Sequence, residues 1–197
     1  MGNFIQKFLG LLLFLLMLSI TNGNAQTFMG ITIDGTQDDI KGKLISKGFK
    51  LIKSTKSDYY YKGKLSNDFI TITVSSTPKS KKVYRFYITY EEVLKSWSSL
   101  LSEFDKRNEI LVNKYGEPLK EKREYEYPYK EGDEYSLLAL ETGKLNYFNV
   151  WSSVGDNSNL SILLAITIEK NIAMLYMNKK NSDIATNEQS EINNDDY

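Results

Sequence analysis

The sequence predicts an α+β domain in which two halves, each a helix followed by an antiparallel sheet, pack as one unit. Apolar residues alternate with polar ones over 70–75, 84–90 and 160–168, the period of a half-buried strand. A stripe at spacings of three and four runs through Leu94, Trp97, Leu101, Phe104, Leu111 and Tyr115, the period of a helix laid across a sheet. The order helix-then-strands also occurs twice, over about 26–90 and again over about 91–178.

Residues 1–25 have the three parts of an export signal. Lys7 is the positive segment, Phe8 to Leu18 the apolar segment, and Gly23-Asn24-Ala25 places small residues before a cut at Gln26. The apolar run from Phe8 to Ile20 is shorter than the roughly 18 residues a spanning helix needs. The expectation is a cleaved signal, a periplasmic or secreted product, and no stable membrane insertion afterwards.

In the mature chain, Thr36 with Asp39 three residues later forms a capping box with a shortened acid. Ile40, Leu44 and Ile45 supply an apolar face and Gly48 a stop, giving a helix over about 37–47. Strands follow over 49–54 and 58–65. Ile70, Ile72 and Val74 then alternate with polar residues, and the turn Thr77–Lys82 leads into Tyr84, Phe86, Ile88 and Tyr90, a hairpin. In the long helix, Asn108 fills the one gap in the stripe, Glu103 and Lys106 fall on the solvent side, and Gly116 and Pro118 end it. Residues 119–127 read as extended. The stretch 133–142 fits helix or strand, with helix favoured by Tyr135, Leu138, Ala139 and Thr142 ahead of Gly143. Strands are expected over 145–152, 160–169 and 171–178, and residues 179–197, rich in Asn, Asp, Ser, Glu and Lys, as a disordered tail.

The two halves share a loose pattern. Thr36-Gln37-Asp38-Asp39-Ile40 leads to Lys47-Gly48-Phe49, and the longer second helix ends Lys114-Tyr115-Gly116-Glu117-Pro118, each followed by strands. This resembles the tandem α+β architecture of the β-lactamase-inhibitor-protein-like (BLIP-like) group, which includes small outer-membrane assembly lipoproteins of the SmpA/OmlA type. The opening Phe28 to Thr36 is also similar to small exported proteins of Gram-negative bacteria. The resemblance implies a fold rather than a function. The chain has neither the lipobox cysteine of the assembly lipoproteins nor the paired cysteines of the inhibitor, so no functional residue carries over.

Composition narrows the chemistry. The chain has no Cys and no His, which removes a disulfide framework, a thiol nucleophile, the commonest general base and the commonest metal ligand. Basic and acidic residues number 25 each, and the signal carries Lys7 and no acid, so the mature chain is near −1 and has no basic excess for nucleic acid. Catalysis would rest on carboxylates. The candidate pairs are Glu103 with Asp105 on the long helix, Glu124 with Glu126 on a strand face, and Asp133 with Glu134 in a turn; each reads more simply as solvated charge. Asp34-Gly35 and Gly155-Asp156-Asn157 offer oxygens without the spacing of a calcium loop, and no metal or cofactor is expected. The basic loop Lys79, Lys81 and Lys82 reads as a soluble turn.

The 14 Tyr cluster, and Tyr59, Tyr60, Tyr61, Tyr125, Tyr127 and Tyr129 are the candidate binding residues. Tyr combines apolar area with a polar tip at low ordering cost, although strand propensity explains its abundance equally well. The functional expectation is an exported, non-catalytic module that binds a protein or glycan. A carboxylate-based glycan hydrolase and an envelope assembly or structural factor are the alternatives.

Overall fold

Antiparallel pairing runs unbroken across eight strands. A computed structural model describes residues 27–132, 134–152 and 159–195; the expected signal peptide, Gly155-Asp156-Asn157 and Asp133 lie outside the described residues. A two-stranded ribbon, β1 (Thr27–Phe28) with β2 (Ile31–Thr32), precedes helix α1 (Gln37–Ser46). Strands β3 (Lys50–Ser54), β4 (Asp58–Leu65), β5 (Asp68–Ser76) and β6 (Val83–Tyr90) follow, then helix α2 (Trp97–Tyr115). The chain continues through β7 (Lys120–Tyr125), α3 (Ser136–Glu141), β8 (Leu145–Ser152), β9 (Leu160–Ile166), β10 (Ile172–Asn178) and α4 (Lys179–Asp195). Strand order in the large sheet is β3-β4-β5-β6-β10-β9-β8-β7.

The pleat explains which side chains meet. Register pairs Ile72 with Ile88, Val74 with Phe86, Ile88 with Met174, and Met174 with Leu164, so one face carries a continuous apolar row. Ile40 and Leu44 of α1 and Leu100, Phe104 and Leu111 of α2 close onto this face as a single core. Thr36 caps α1 as the sequence predicts: its Oγ1 accepts from the Asp39 amide at 3.3 Å, and its own amide donates to Asp39 Oδ2 at 3.1 Å. Gly63 within β4 has a direct cause as well. A Cβ there would meet the buried Phe49 ring at 2.6 Å.

Three expectations are corrected or sharpened. Helix α2 begins at Trp97, capped by Ser96, whose Oγ accepts from the Ser99 amide at 3.1 Å; residues 91–96 precede it without helix. Its buried line is Leu100, Phe104, Arg107 and Leu111, rotated from the apolar stripe, so Trp97 and Leu101 are only partly buried. The reason is that Leu94 sits outside the helix, where its amide donates to the Lys170 carbonyl, and no longer sets the helical phase. Segment 133–142 resolves to the helical reading: α3 buries Ser136, Ala139 and Leu140.

The tail is the plain correction. Residues 179–195 form helix α4 rather than a disordered tail. Polar side chains hold it. Asn181, 4% exposed, donates through Nδ2 to the Val83 carbonyl (2.8 Å) and Asp34 Oδ1 (3.1 Å), and Glu188 accepts from the Lys79 and Ser80 amides at 2.6 and 3.1 Å. Composition read these groups as solvated, whereas they satisfy backbone groups of the 77–83 segment. Among the described residues no helix is long and apolar enough to cross a membrane.

Candidate functional site

The six candidate tyrosines do not share a surface. On β4, Tyr61 is 1% exposed in the core, and burial, with smaller contributions from Tyr59 and Asp38, pushes its phenol up to about 12. Tyr59 packs partly buried against the same core. Tyr60 takes the opposite face by the pleat, with Lys53 Nζ 5.4 Å from its ring centroid. Tyr125 on β7 shares a 2.9 Å hydrogen bond with Ser136 Oγ, and Tyr129 packs partly buried. Of the six, Tyr127 alone is fully exposed, at 90%. β4 lies next to one edge of the sheet and β7 forms the other, so the two clusters sit on opposite flanks.

The other candidates resolve into local roles. Asp34 accepts from the Gly35 amide at 2.8 Å, which is turn formation. Glu124 is ion-paired with Lys122, and Lys79 with Glu191. Glu103 differs from expectation: it is only partly exposed and its carboxylate is bound to Arg107. Among the described residues no group of three or more His, Cys, Asp or Glu side chains is placed to hold a metal.

Arg107 is the feature that local folding alone does not explain. It occupies a core register of α2, one turn from Phe104 and one from Leu111, with a side chain 6% exposed. Nη2 donates to Asp68 Oδ2 at 2.8 Å and Nη1 contacts Glu103 Oε2. Asp68 is placed by the tight β4–β5 hairpin, where Leu65 pairs with it. The guanidinium carbon stands 4.2 Å from the ring centroid of Tyr90 at the end of β6. Tyr90 is itself buried, and burial raises its phenol pKa against the opposing Arg107 charge. Among the described residues Arg107 Nε is buried without a hydrogen-bond partner.

A second arginine shows the contrast. Arg123 lies 3.9 Å from the Tyr147 ring centroid, donates through Nη1 to the Lys122 and Phe148 carbonyls, and through Nη2 to Asn149 Oδ1 at 2.8 Å. Asn149 in turn donates to Asn108 Oδ1 at 2.7 Å. That closed network ties β7 to β8 and α2, a structural role. Arg107 leaves a donor unused, and a buried unmet donor costs on the order of 1–3 kcal/mol.

Two cavities meet at the Arg107–Tyr90 pair. One, of about 350 Å³, is walled by Asp68, Phe69, Glu91, Glu92, Glu103 and Leu94. Lys62 at 2.7 Å, followed by the Thr71 hydroxyl, holds Glu91 below the usual carboxylate range. The other, of about 310 Å³, lies between the β1–β2 ribbon, α2 and β10, and its walls are Phe28, Met29, Leu65, Leu111, Met174 and Tyr176. Two of its residues, Met29 (φ 54°) and Ser66 (φ 56°), hold left-handed backbone that non-glycine residues rarely adopt.

Sequence reading missed this site. The available signal was a charged residue at position 107, in helical phase with Leu100, Phe104 and Leu111. Once the stripe is taken from Leu94 and Trp97, that phase is hidden. No protein-family model, no curated protein and no solved structure matches the chain.

Proposed function

We propose that the chain is an exported binding domain that does not turn its ligand over, and that its binding site is the cavity pair around Arg107. One observation carries the reading: a guanidinium with only 6% of its side chain exposed stands in the wall shared by two cavities. Cavities of about 310 and 350 Å³ are in the size range of small-ligand pockets. The protein or glycan partner expected from the tyrosines has no single surface to meet, which moves the reading to a ligand, or part of one, small enough to enter. Export rests on the sequence of residues 1–25.

The strand order supports the two-half, BLIP-like reading. Helix α1 leads into the meander β3-β4-β5-β6 and α2 into β7-β8-β9-β10, and the two final strands, β6 and β10, join the meanders. Shared architecture says nothing of a shared ligand.

A glycan hydrolase is the weaker reading. The two terminal nitrogens of one guanidinium hold Asp68 and Glu103 within about 8 Å of each other, a spacing inverting glycosidases use. Both carboxylates are committed to the same cation, so the oxygens a general acid and base would turn to substrate are already taken.

The test is a fragment screen read by amide chemical shifts on the purified protein. Binding fragments should perturb residues 65–69, 90–94 and 103–114 together, with no released product on prolonged incubation with glycan substrates. Shifts confined to other regions, or sugar release abolished by Asp68→Asn or Glu103→Gln, would overturn the reading.

A further inference from the structure

Resting on the reading that the Arg107 cavities are a binding site, we propose that the 310 Å³ cavity takes the hydrocarbon chain of a single-chain amphiphile with an acidic headgroup, and that Lys114 meets the headgroup. Charge decides the class. The walls are apolar apart from Thr27, Ser66 and the phenols of Tyr90 and Tyr176, and among the described residues no carboxylate lines the cavity while Arg107 and Lys114 are its two cations. Arg107 is already matched by Asp68 and Glu103 on its other side. Among the described residues Lys114 has no such match: it is exposed, its ammonium donates to the neutral Thr27 carbonyl at 2.9 Å, and it lies 4.8 Å from the Tyr115 ring centroid.

Geometry sets the orientation. Arg107 and Lys114 are seven residues apart on α2, a rise of about 10 Å. The apolar walls contributed by Leu111 and, across the gap, Met174, Phe28 and Leu65 lie alongside that span. An anionic head at the exposed Lys114 end therefore directs its chain inward, toward the end lined by Arg107 and Tyr90. A cationic head would meet the like charge of Lys114, and a neutral one would forgo a charge-assisted hydrogen bond.

The experiment is calorimetric titration of the purified protein with octanoate, decanoate and dodecanoate below their micelle concentrations. Decyltrimethylammonium and decanol are the cationic and neutral controls. Affinity should rise about fourfold per added CH₂ until the cavity is full, and should follow the order carboxylate over alcohol over ammonium. Lys114→Met should weaken decanoate about tenfold or more at an unchanged melting temperature, while Lys114→Arg retains it. Leu65→Trp, which fills the cavity, should abolish binding of the longer chains. Equal affinity for decanoate and decyltrimethylammonium, or no loss in Lys114→Met, would refute the proposal. Silence towards decanoate with fragment-induced shifts around Arg107 removes only this ligand class; silence in both experiments removes the binding reading as well.

Discussion

Replacing Arg107 with Met keeps the length and apolar stem of the side chain while deleting its charge and its hydrogen bonds. Asp68 and Glu103 would then face each other without the guanidinium between them, Glu103 keeping only its 3.8 Å contact with Lys106, with side chains 37% and 27% exposed. At a separation of about 7 Å and an effective dielectric near 20, their repulsion is roughly 2 kcal/mol. Losing the charge-assisted hydrogen bond to Asp68 and the ion pair with Glu103 adds to that, and partial exposure of both acids subtracts from it. Removal of the unmet Nε donor offsets a further part. The net expectation is a loss of about 3 kcal/mol, read as a lowered urea midpoint with an unchanged slope. The decisive arm is compensation. Combining Arg107→Met with Asp68→Asn and Glu103→Gln should restore most of the loss, because the cost arises from stranded charge rather than from lost packing. If the single variant is within about 0.5 kcal/mol of the parent, or if the triple variant is no better than the single one, the guanidinium is not the hub described above.

Ending the chain after Asn178 removes the Asn181 bridge to Asp34 and Val83 and the Glu188 caps on Lys79 and Ser80, a loss of about 3 kcal/mol that should lower the calorimetric midpoint by roughly 6–12 °C; an unchanged midpoint would mean α4 does not dock. Tyr61 supplies a pH signature. Its phenol ionises near 10 when unfolded and near 12 when folded, so its contribution is complete below pH 10 and lost as pH rises toward 12. Urea midpoints between pH 9 and 11.5 should fall less steeply in Tyr61→Phe than in the parent, by up to about 2 kcal/mol of stability, and parallel curves would remove Tyr61 as the source.

The elements carried by local signals were legible. Thr36 with Asp39, the alternation in β5, β6 and β9, and the Gly116-Glu117-Pro118 stop all act within a few residues of themselves, so their consequences can be read along the chain. The start of α2 was not, because Leu94 is apolar at a helical spacing yet is claimed by Lys170, 76 residues away in sequence. Helix α4 escaped for the opposite reason. Its anchors are Asn181 and Glu188, whose partners belong to a distant loop, and composition counts such residues as solvated.

By itself the sequence determined the secondary structure of most of the domain, the absence of Cys and His chemistry, and the α+β class. Periodicity and capping are short-range properties, and composition is a property of the chain alone. The tertiary structure decided what no such property contains. It set the order in which eight strands pair and separated the tyrosine clusters onto opposite flanks of the sheet. It also brought Asp68, Tyr90 and Glu103 around Arg107. Residue 107 meets Asp68 across 39 positions because a hairpin end and a helix face converge there. A buried charge becomes a candidate site only when the fold has placed its partners and left a cavity beside it.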